Sequence, residues 1–348
     1  MGWQHGRQVE DLRSHILTAM QHRLASLDKL QGYIQPTLKE LSDLWELAAR
    51  PTMDMLHGIA EALSFGWEPF FRYTVASYLT DRAAFSKPAE GCTVWAAAAP
   101  LTKLGKPLMA KNRDYRPDHQ GLQCLAHARP IDGYDYLYLT SAGSPGVFSS
   151  GMNEMGLAVA DTHVSSSDIG PGLARYSVMM EILEHHSQVS SAIQFLTGVT
   201  HLGDGTLTLI DADGQMAVFE TGHSRTGIVR PENGFVVSTN HYVTPGLASH
   251  WLENNAAALR GNSQARQSRI KEALHSSRHL VDVAWAKKCM AQHGTQLDAI
   301  CRHPEMESDA VTISTIVFQP MARRLSIANG FPCQSEFQDW AVKSSPVD

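Results

Sequence analysis

No stretch of this 348-residue chain approaches the roughly 20 consecutive apolar residues of a membrane span. The opening Met1-Gly-Trp-Gln-His-Gly-Arg7 also lacks the apolar core of a secretory signal. Basic charge is scarce: 29 Lys and Arg stand against 35 Asp and Glu, a net charge of −6, with no basic stripe along any segment. Neither a membrane nor a nucleic acid is an expected partner. Cysteine is sparse and odd in number, five residues at 92, 124, 289, 301 and 333 with no CxxC pair. That spacing fits neither a disulfide framework nor a zinc site. Histidine is abundant at seventeen, but there is no HExxH. The adjacent His185 and His186 point to different sides of a helical stretch, and His275 with His279 has no carboxylate partner in a recognisable motif. No metal and no cofactor are expected, and a reducing cytoplasm is the compartment that free thiols suit.

What is present is a composition fit for a packed core, 43% hydrophobic and 18% charged, enough for one large domain or two modest ones. The hydrophobic period changes a quarter of the way along. Before residue 90 it is helical: Leu12, Ile16, Met20 and Leu24 share a face over 9–27, and further helices are expected over 37–49, 53–63 and 69–79. The segment 86–91, Ser-Lys-Pro-Ala-Glu-Gly, breaks helix and reads as an exposed connector. Beyond it come strand-like runs at 93–99, 108–111, 136–140, 156–161, 206–211, 216–220, 234–238, 311–318 and 324–328, with helices at about 176–197 and 264–276. Many strands and two separated helical blocks predict a layered α+β domain, and nothing repeats at a fixed period.

Gly91-Cys92 stands where the period changes. Attack of Cys92 Sγ on the Gly91 carbonyl meets no Cβ on the acyl side, and glycine tolerates a strained peptide geometry. Hydrolysis of the resulting thioester would leave Cys92 with a thiol beside its own α-amine. An α-amine titrates at about 7.7–8.0, so it can act as base for that thiol at working pH. Alone, a cysteine at a strand start is equally a small buried hydrophobe.

A nucleophile of this kind needs a group to hold the amine, donors for an oxyanion and a positive field. Asp114 lies at the end of the strand that returns beside Cys92. Asn240, in Ser238-Thr-Asn-His-Tyr242, follows a strand and carries an amide suited to an oxyanion. Arg266 and Arg269 open a helix and could bring guanidinium charge. Each has a plainer reading: Asn112-Arg-Asp114 as a turn or surface ion pair, Asn240 as a turn residue, the arginines as a solvated face. The order of these residues behind a Gly-Cys junction is what joins them.

That order resembles the penicillin acyltransferase-like branch of the N-terminal nucleophile hydrolases, peptidase family C45. The resemblance runs through Met55-Leu-His-Gly-Ile-Ala-Glu-Ala-Leu63, Gly91-Cys-Thr93, Lys111-Asn-Arg-Asp114, Gly151-Met-Asn-Glu-Met-Gly-Leu-Ala158, Ser238-Thr-Asn-His241, the Ser263-xx-Arg266 helix, Cys301-Arg-His303 and Thr312-Ile-Ser-Thr-Ile-Val-Phe-Gln-Pro320. It implies a four-layer αββα sandwich preceded by an all-α leader. It also implies self-cleavage into a small fragment 1–91 and a large fragment 92–348 that stay associated as a heterodimer. Cys92 is then the nucleophile, Asp114 the amine partner, Asn240 the oxyanion donor, and Arg266 or Arg269 the supporting cation. Members transfer acyl groups from amides or thioesters to an amine or to water. Family members often carry Asn after the Gly-Leu-Ala strand, where this chain has Asp161-Thr162. Two other readings stay open: a papain-like pair of Cys92 with His241 or His303 and no self-cleavage, and an inert Gly-Cys in a protein whose leader is a helical interaction module.

Overall fold

The computed structural model of the chain describes residues 1–28, 31–82, 91–253, 261–277, 279–295, 297–304 and 310–342, with only the backbone of 31–36. The connector expected at 86–91 therefore lies, apart from Gly91, outside the described residues.

The leader is helical throughout its described length: α1 Gly2–Gln8, α2 Arg13–Ala25, α3 Gln31–Ala48, α4 Arg50–Ala62, α5 Trp67–Thr74 and α6 Ala76–Arg82. In α4, Pro51 occupies the first turn, where its missing N–H has no intrahelical partner to lose. Met53, Leu56, Ile59 and Ala60 then recur on one face and are buried. Each large apolar side chain buried in this way contributes about 1.5–3 kcal/mol. The run expected as one helix over 69–79 is two, parted at Val75.

Two antiparallel sheets follow. The strands are β1 Gly91–Ala97, β2 Leu108–Tyr115, β3 Gln123–Ala128, β4 Tyr136–Ser141, β5 Ser150–Asn153, β6 Ala158–His163, β7 Gly205–Ile210, β8 Met216–Thr221, β9 Thr226–Val229, β10 Phe235–Ser238, β11 Val311–Gln319, β12 Arg324–Asn329 and β13 Gln338–Ala341. Among the described residues the first sheet runs β10-β1-β2-β11-β12-β13, and the second is a meander from β3 to β9. Helices α7 Arg175–His185, α8 Val189–Gly198, α9 Pro245–Ala248, α10 Asn262–His275 and α11 Val283–Met290 complete the order. The single helix expected over 176–197 is α7 and α8, separated where His186 turns to extended backbone.

Side-chain alternation on the strands builds the layers. Val94, Ala96, Met109 and Ile316 of the first sheet meet Leu139, Ala160, Ile210 and Val218 of the second in one apolar cluster. The opposite face of the first sheet, through Trp95, Ala97, Ala110 and Val317, packs on Ile270 and Leu274 of α10 and on Ala286 and Met290 of α11. The outer face of the second sheet, through Val159, Leu207, Leu209 and Phe219, packs on Met179, Leu183, Ala192 and Leu196 of α7 and α8. The result is a four-layer αββα sandwich. The leader joins the same outer cluster through Trp45, Leu56 and Phe70. Trp45 is fully buried and its indole N–H donates to Gly172 O at 2.8 Å. No helix of the described residues is long and apolar enough to cross a membrane.

Candidate active site

The hairpin of β1 and β2 sets the site. Its register pairs Gly91 with Asp114, Cys92 with Arg113, Thr93 with Asn112 and Val94 with Lys111. Cross-strand partners share a face, so Cys92, Lys111 and Arg113 point between the two sheets, in line with Val94 and Ala96. Thr93, Asn112 and Asp114 point the other way, toward α10 and α11. Asp114 therefore stands beside the Gly91–Cys92 peptide rather than opposite the thiol. Cys92 Sγ has the Asp114 carbonyl oxygen at 4.0 Å.

β10 ends its pairing with β1 at Ser238 opposite Val94, which leaves the Cys92 N–H beyond the ladder. Asn240 takes it up: the Cys92 N–H donates to Asn240 Oδ1 at 3.0 Å. Arg266 Nη2 donates to the same oxygen at 2.7 Å, and Arg266 Nη1 donates to Cys92 O at 2.7 Å and to Thr93 Oγ1 at 2.8 Å. Two donors on Oδ1 fix which end of the amide is which. Asn240 Nδ2 donates to His163 O at 2.8 Å, so one of its two N–H groups is already engaged. The loop is held to the start of α10 by Ser263, whose Oγ accepts the Asn240 N–H at 2.7 Å. Asn262 Oδ1 accepts from Arg266 Nε at 2.9 Å, one helical turn along.

Of the two candidate arginines, the structure brings only Arg266 to Cys92. Arg269 is one turn further and turns away, donating to Asp298 Oδ2 at 3.1 Å and His293 O at 2.6 Å. The histidines of the papain-like reading are engaged elsewhere. His241 Nδ1 lies 2.7 Å from Ser263 Oγ, and His303 Nε2 lies 3.2 Å from Cys333 Sγ.

The coil ahead of β11 also carries a residue to which sequence reasoning assigned no role. Arg302 is buried, its backbone N–H donates to Thr312 Oγ1 at 2.8 Å, and a Cβ on Gly91 would collide with its Nη1. The same Cβ would sit 3.2 Å from Asp114 Oδ2. Asp114 Oδ1 accepts from Thr312 Oγ1 at 2.7 Å, whereas Asp114 Oδ2 and Arg302 Nη1 are buried with no hydrogen-bond partner among the described residues. Gly91 thus lies between an unpaired carboxylate oxygen and an unpaired guanidinium nitrogen. Its place in Cys301-Arg-His303 was the only signal for Arg302.

On the thiol side an open cleft is lined by Cys92, Lys111, Arg113, Phe148, Asp161 and Arg175. Thr74, Val75, Ser77 and Tyr78 from the leader close it. Lys111, fully buried, donates to Asp161 Oδ1 at 2.6 Å and to Ser149 O at 2.9 Å. Arg175 Nε reaches Asp161 Oδ2 at 3.2 Å, and Arg175 also pairs with Asp204. Asp161 is therefore a pivot between two cations. Lys111 was within reach of the sequence, since it sits on the face of Cys92 in any hairpin of this register.

Electrostatics follow burial. Burial pushes the Cys92 thiol above its usual value, with Lys111 opposing the shift. Burial likewise raises the Asp114 carboxyl, against Arg302 and Arg266. Arg266 is pulled down to about 10 by burial and by the facing Arg302 charge. Burial also works to raise Asp161, but Lys111 and Arg175 outweigh it and hold the group below the usual carboxylate range. A thiol shifted upward, as Cys92 is, needs a base before it can act as a nucleophile.

A family profile described as "Acyl-coenzyme A:6-aminopenicillanic acid acyl-transferase" matches residues 101–333. No curated protein matches the chain significantly. Similar solved structures include a conjugated bile acid hydrolase from Clostridium perfringens, 14% identical over 74% of this chain and 100% of that one, with a TM-score of 0.48. A Caenorhabditis elegans N-acylethanolamine-hydrolyzing acid amidase ortholog is 13% identical over 72% of this chain and 100% of its own, TM-score 0.48. Penicillin V acylase from Agrobacterium tumefaciens is 15% identical over 68% of this chain and 83% of its own, TM-score 0.43.

Proposed function

The chain belongs to the acyl-coenzyme A:6-aminopenicillanic acid acyl-transferase family, and on that footing we propose that it is an autoprocessed cysteine N-terminal nucleophile enzyme acting through Cys92. The observation that carries the reading is the environment of one backbone nitrogen. The Cys92 N–H is held by Asn240 Oδ1, its carbonyl by Arg266, and its thiol opens on a cleft. Those are the contacts an α-amine and its own sulfur need in order to work together.

Processing begins with the Cys92 thiol adding to the Gly91 carbonyl carbon. The C–N bond breaks, the thiol proton passes to the departing nitrogen, and Gly91 is held as a thioester. Water then cleaves the thioester, releasing Gly91 as a carboxylate and returning the thiol to Cys92. Arg302 Nη1, buried against Gly91 and without a hydrogen-bond partner among the described residues, is the proposed cation for the negative charge that develops at the Gly91 carbonyl. Asp114 Oδ2, beside the Gly91–Cys92 peptide, is the second proposed acceptor for the new amine, with Asn240 Oδ1.

In turnover the α-amine takes the Cys92 proton as Sγ attacks a substrate acyl carbonyl. The proton goes to the leaving amine or thiol, and a Cys92 thioester forms. An amine acceptor gives N-acyl transfer; water gives amide hydrolysis. The family supports acyl transfer to an amine, with an acyl-thioester donor, as the leading case. The second N–H of Asn240 Nδ2 is its remaining donor for the substrate oxyanion. Fragments 1–91 and 92–348 are expected to remain together, because leader and sandwich share one apolar cluster. A reducing cytoplasm suits a thiol nucleophile.

The test is intact mass and N-terminal sequencing of purified protein. Two fragments with Cys92 as a new N-terminus support the reading, and an uncut chain overturns self-processing. Mass spectrometry of the large fragment after brief exposure to an acyl thioester should find the acyl group on Cys92.

A further inference from the structure

Away from the Cys92 cleft, four soft donor atoms converge from three separate segments. Cys301 Sγ lies 3.6 Å from Cys333 Sγ. His303 Nε2 lies 3.5 Å from the first sulfur and 3.2 Å from the second. His293 adds a ring nitrogen, and all four donor atoms fall within 4.8 Å of one another. A tetrahedral zinc ion, with bonds of about 2.3 Å to sulfur and 2.0–2.1 Å to nitrogen, spaces its ligands about 3.8 Å apart for two sulfurs and about 3.6 Å for sulfur and nitrogen. The three sulfur edges lie within a few tenths of an ångström of that figure. Two thiols and two imidazoles at this spacing are a soft donor set that favours zinc over oxygen-seeking cations.

We propose that His293, Cys301, His303 and Cys333 hold one structural zinc(II) ion. All four positions are filled by protein, which leaves no open site for chemistry at the metal. On binding, each thiol releases its proton to solvent and gives an electron pair to zinc, and the two thiolates neutralise the ion's charge. The imidazoles bind neutral.

The surroundings orient these ligands. Phe331 stacks on the His303 ring with centroids 4.2 Å apart. The Cys301 N–H donates to Gln292 O at 2.9 Å, and Arg269 Nη2 donates to the carbonyl of His293 at 2.6 Å. Arg269, considered from sequence for the nucleophile's surroundings, thus braces the His293 loop instead. Arg302 lies between two of the ligands in sequence. Zinc would pin both ends of the short segment that carries the Arg302 guanidinium to Gly91.

The experiment uses the full chain, and its readout is the metal itself. Elemental mass spectrometry should find one zinc per chain in the purified protein. Cys333→Ser and His293→Ala should each drop the content to near none, whereas Cys124→Ser, a free cysteine on β3 in the other sheet, should keep it. Cobalt exchanged into the wild-type protein should show thiolate-to-cobalt charge-transfer absorption with tetrahedral ligand-field bands. That measurement decides the matter even where a variant fails to fold. A wild-type chain that takes up neither zinc nor cobalt overturns the proposal. So does zinc retained in both ligand variants, or a Cys301–Cys333 disulfide found by mass without added oxidant.

Discussion

The backbone N–H of Cys92 donates to Asn240 Oδ1 at 3.0 Å, and the Arg266 guanidinium reaches the same oxygen at 2.7 Å. A side chain that follows one strand therefore completes the hydrogen bonding of the next. Asn240→Ala removes both the acceptor for Cys92 and an amide donor. In cleaved material, turnover should fall by about 10²–10³, the range for losing one oxyanion donor, with KM changed much less. Normal turnover in a folded, processed Asn240→Ala enzyme would reduce the residue to a turn position.

Self-cleavage should depend on both sides of the Gly91–Cys92 bond. Cys92→Ala should stay a single chain, and Cys92→Ser should cut slowly because a hydroxyl is the weaker nucleophile at neutral pH. Gly91→Ala places a Cβ against Arg302 Nη1 and near Asp114 Oδ2, so it should delay cutting. A time course of intact mass separates the three. Cutting of Cys92→Ala at that bond would show that the thiol is not the agent.

The two arginines one turn apart on α10 should behave very differently. Arg266 is buried and its hydrogen bonds reach Cys92, Thr93, Asn240 and Asn262. Arg266→Leu removes a donor from each of these buried acceptors and strips Asp114 of a facing charge, a loss of about 3–5 kcal/mol. Arg269 and its partner Asp298 are partly exposed, and Arg269→Leu should cost about 1 kcal/mol or less. Urea unfolding midpoints of the pair read the contrast.

That contrast also shows what the sequence made legible. The change from helical to alternating period located the leader and the first hairpin, because amphipathic faces are written in local spacing. The Thr-Asn-His segment and the Ser263-xx-Arg266 turn were recognisable singly. Their contact, through Ser263 Oγ and the Asn240 N–H, is a product of tertiary folding. Helical periodicity placed Arg266 and Arg269 on one helix but could not say which docks, since residues three apart lie on overlapping faces. Short edge strands such as β9 and β13 carried too few residues for alternation to show. Arg302 and the His293, Cys301, His303 and Cys333 cluster were hidden for a different reason. Their partners come from segments far apart in the chain, with no fixed spacing to read.

Acid should loosen the leader through His5. Its Nε2 accepts the Gly143 N–H at 3.0 Å, and burial lowers its pKa from 6.5 to about 4. The folded state thus favours the neutral ring, and between those values the unfolded chain binds the extra proton. His5 supplies its full stability above pH 6.5, and that contribution is lost as the pH falls toward 4. His241, also lowered to about 4, acts in the same window, so the informative quantity is a difference. His5→Gln should flatten part of the pH dependence of the thermal midpoint. Identical slopes in both proteins would remove His5 from the coupling.

Trp45, Leu56 and Phe70 of the leader are walled in by side chains from the far side of the proposed scission point. An uncut chain makes those contacts within one molecule, so its folding equilibrium is indifferent to dilution. Once the Gly91–Cys92 bond is gone, the same contacts join two molecules, and the stability of the pair depends on its concentration. Cleavage would then act as a ratchet. The precursor folds as a unimolecular species, whereas a mature pair that unfolds must find its partner again in solution and faces aggregation in the meantime.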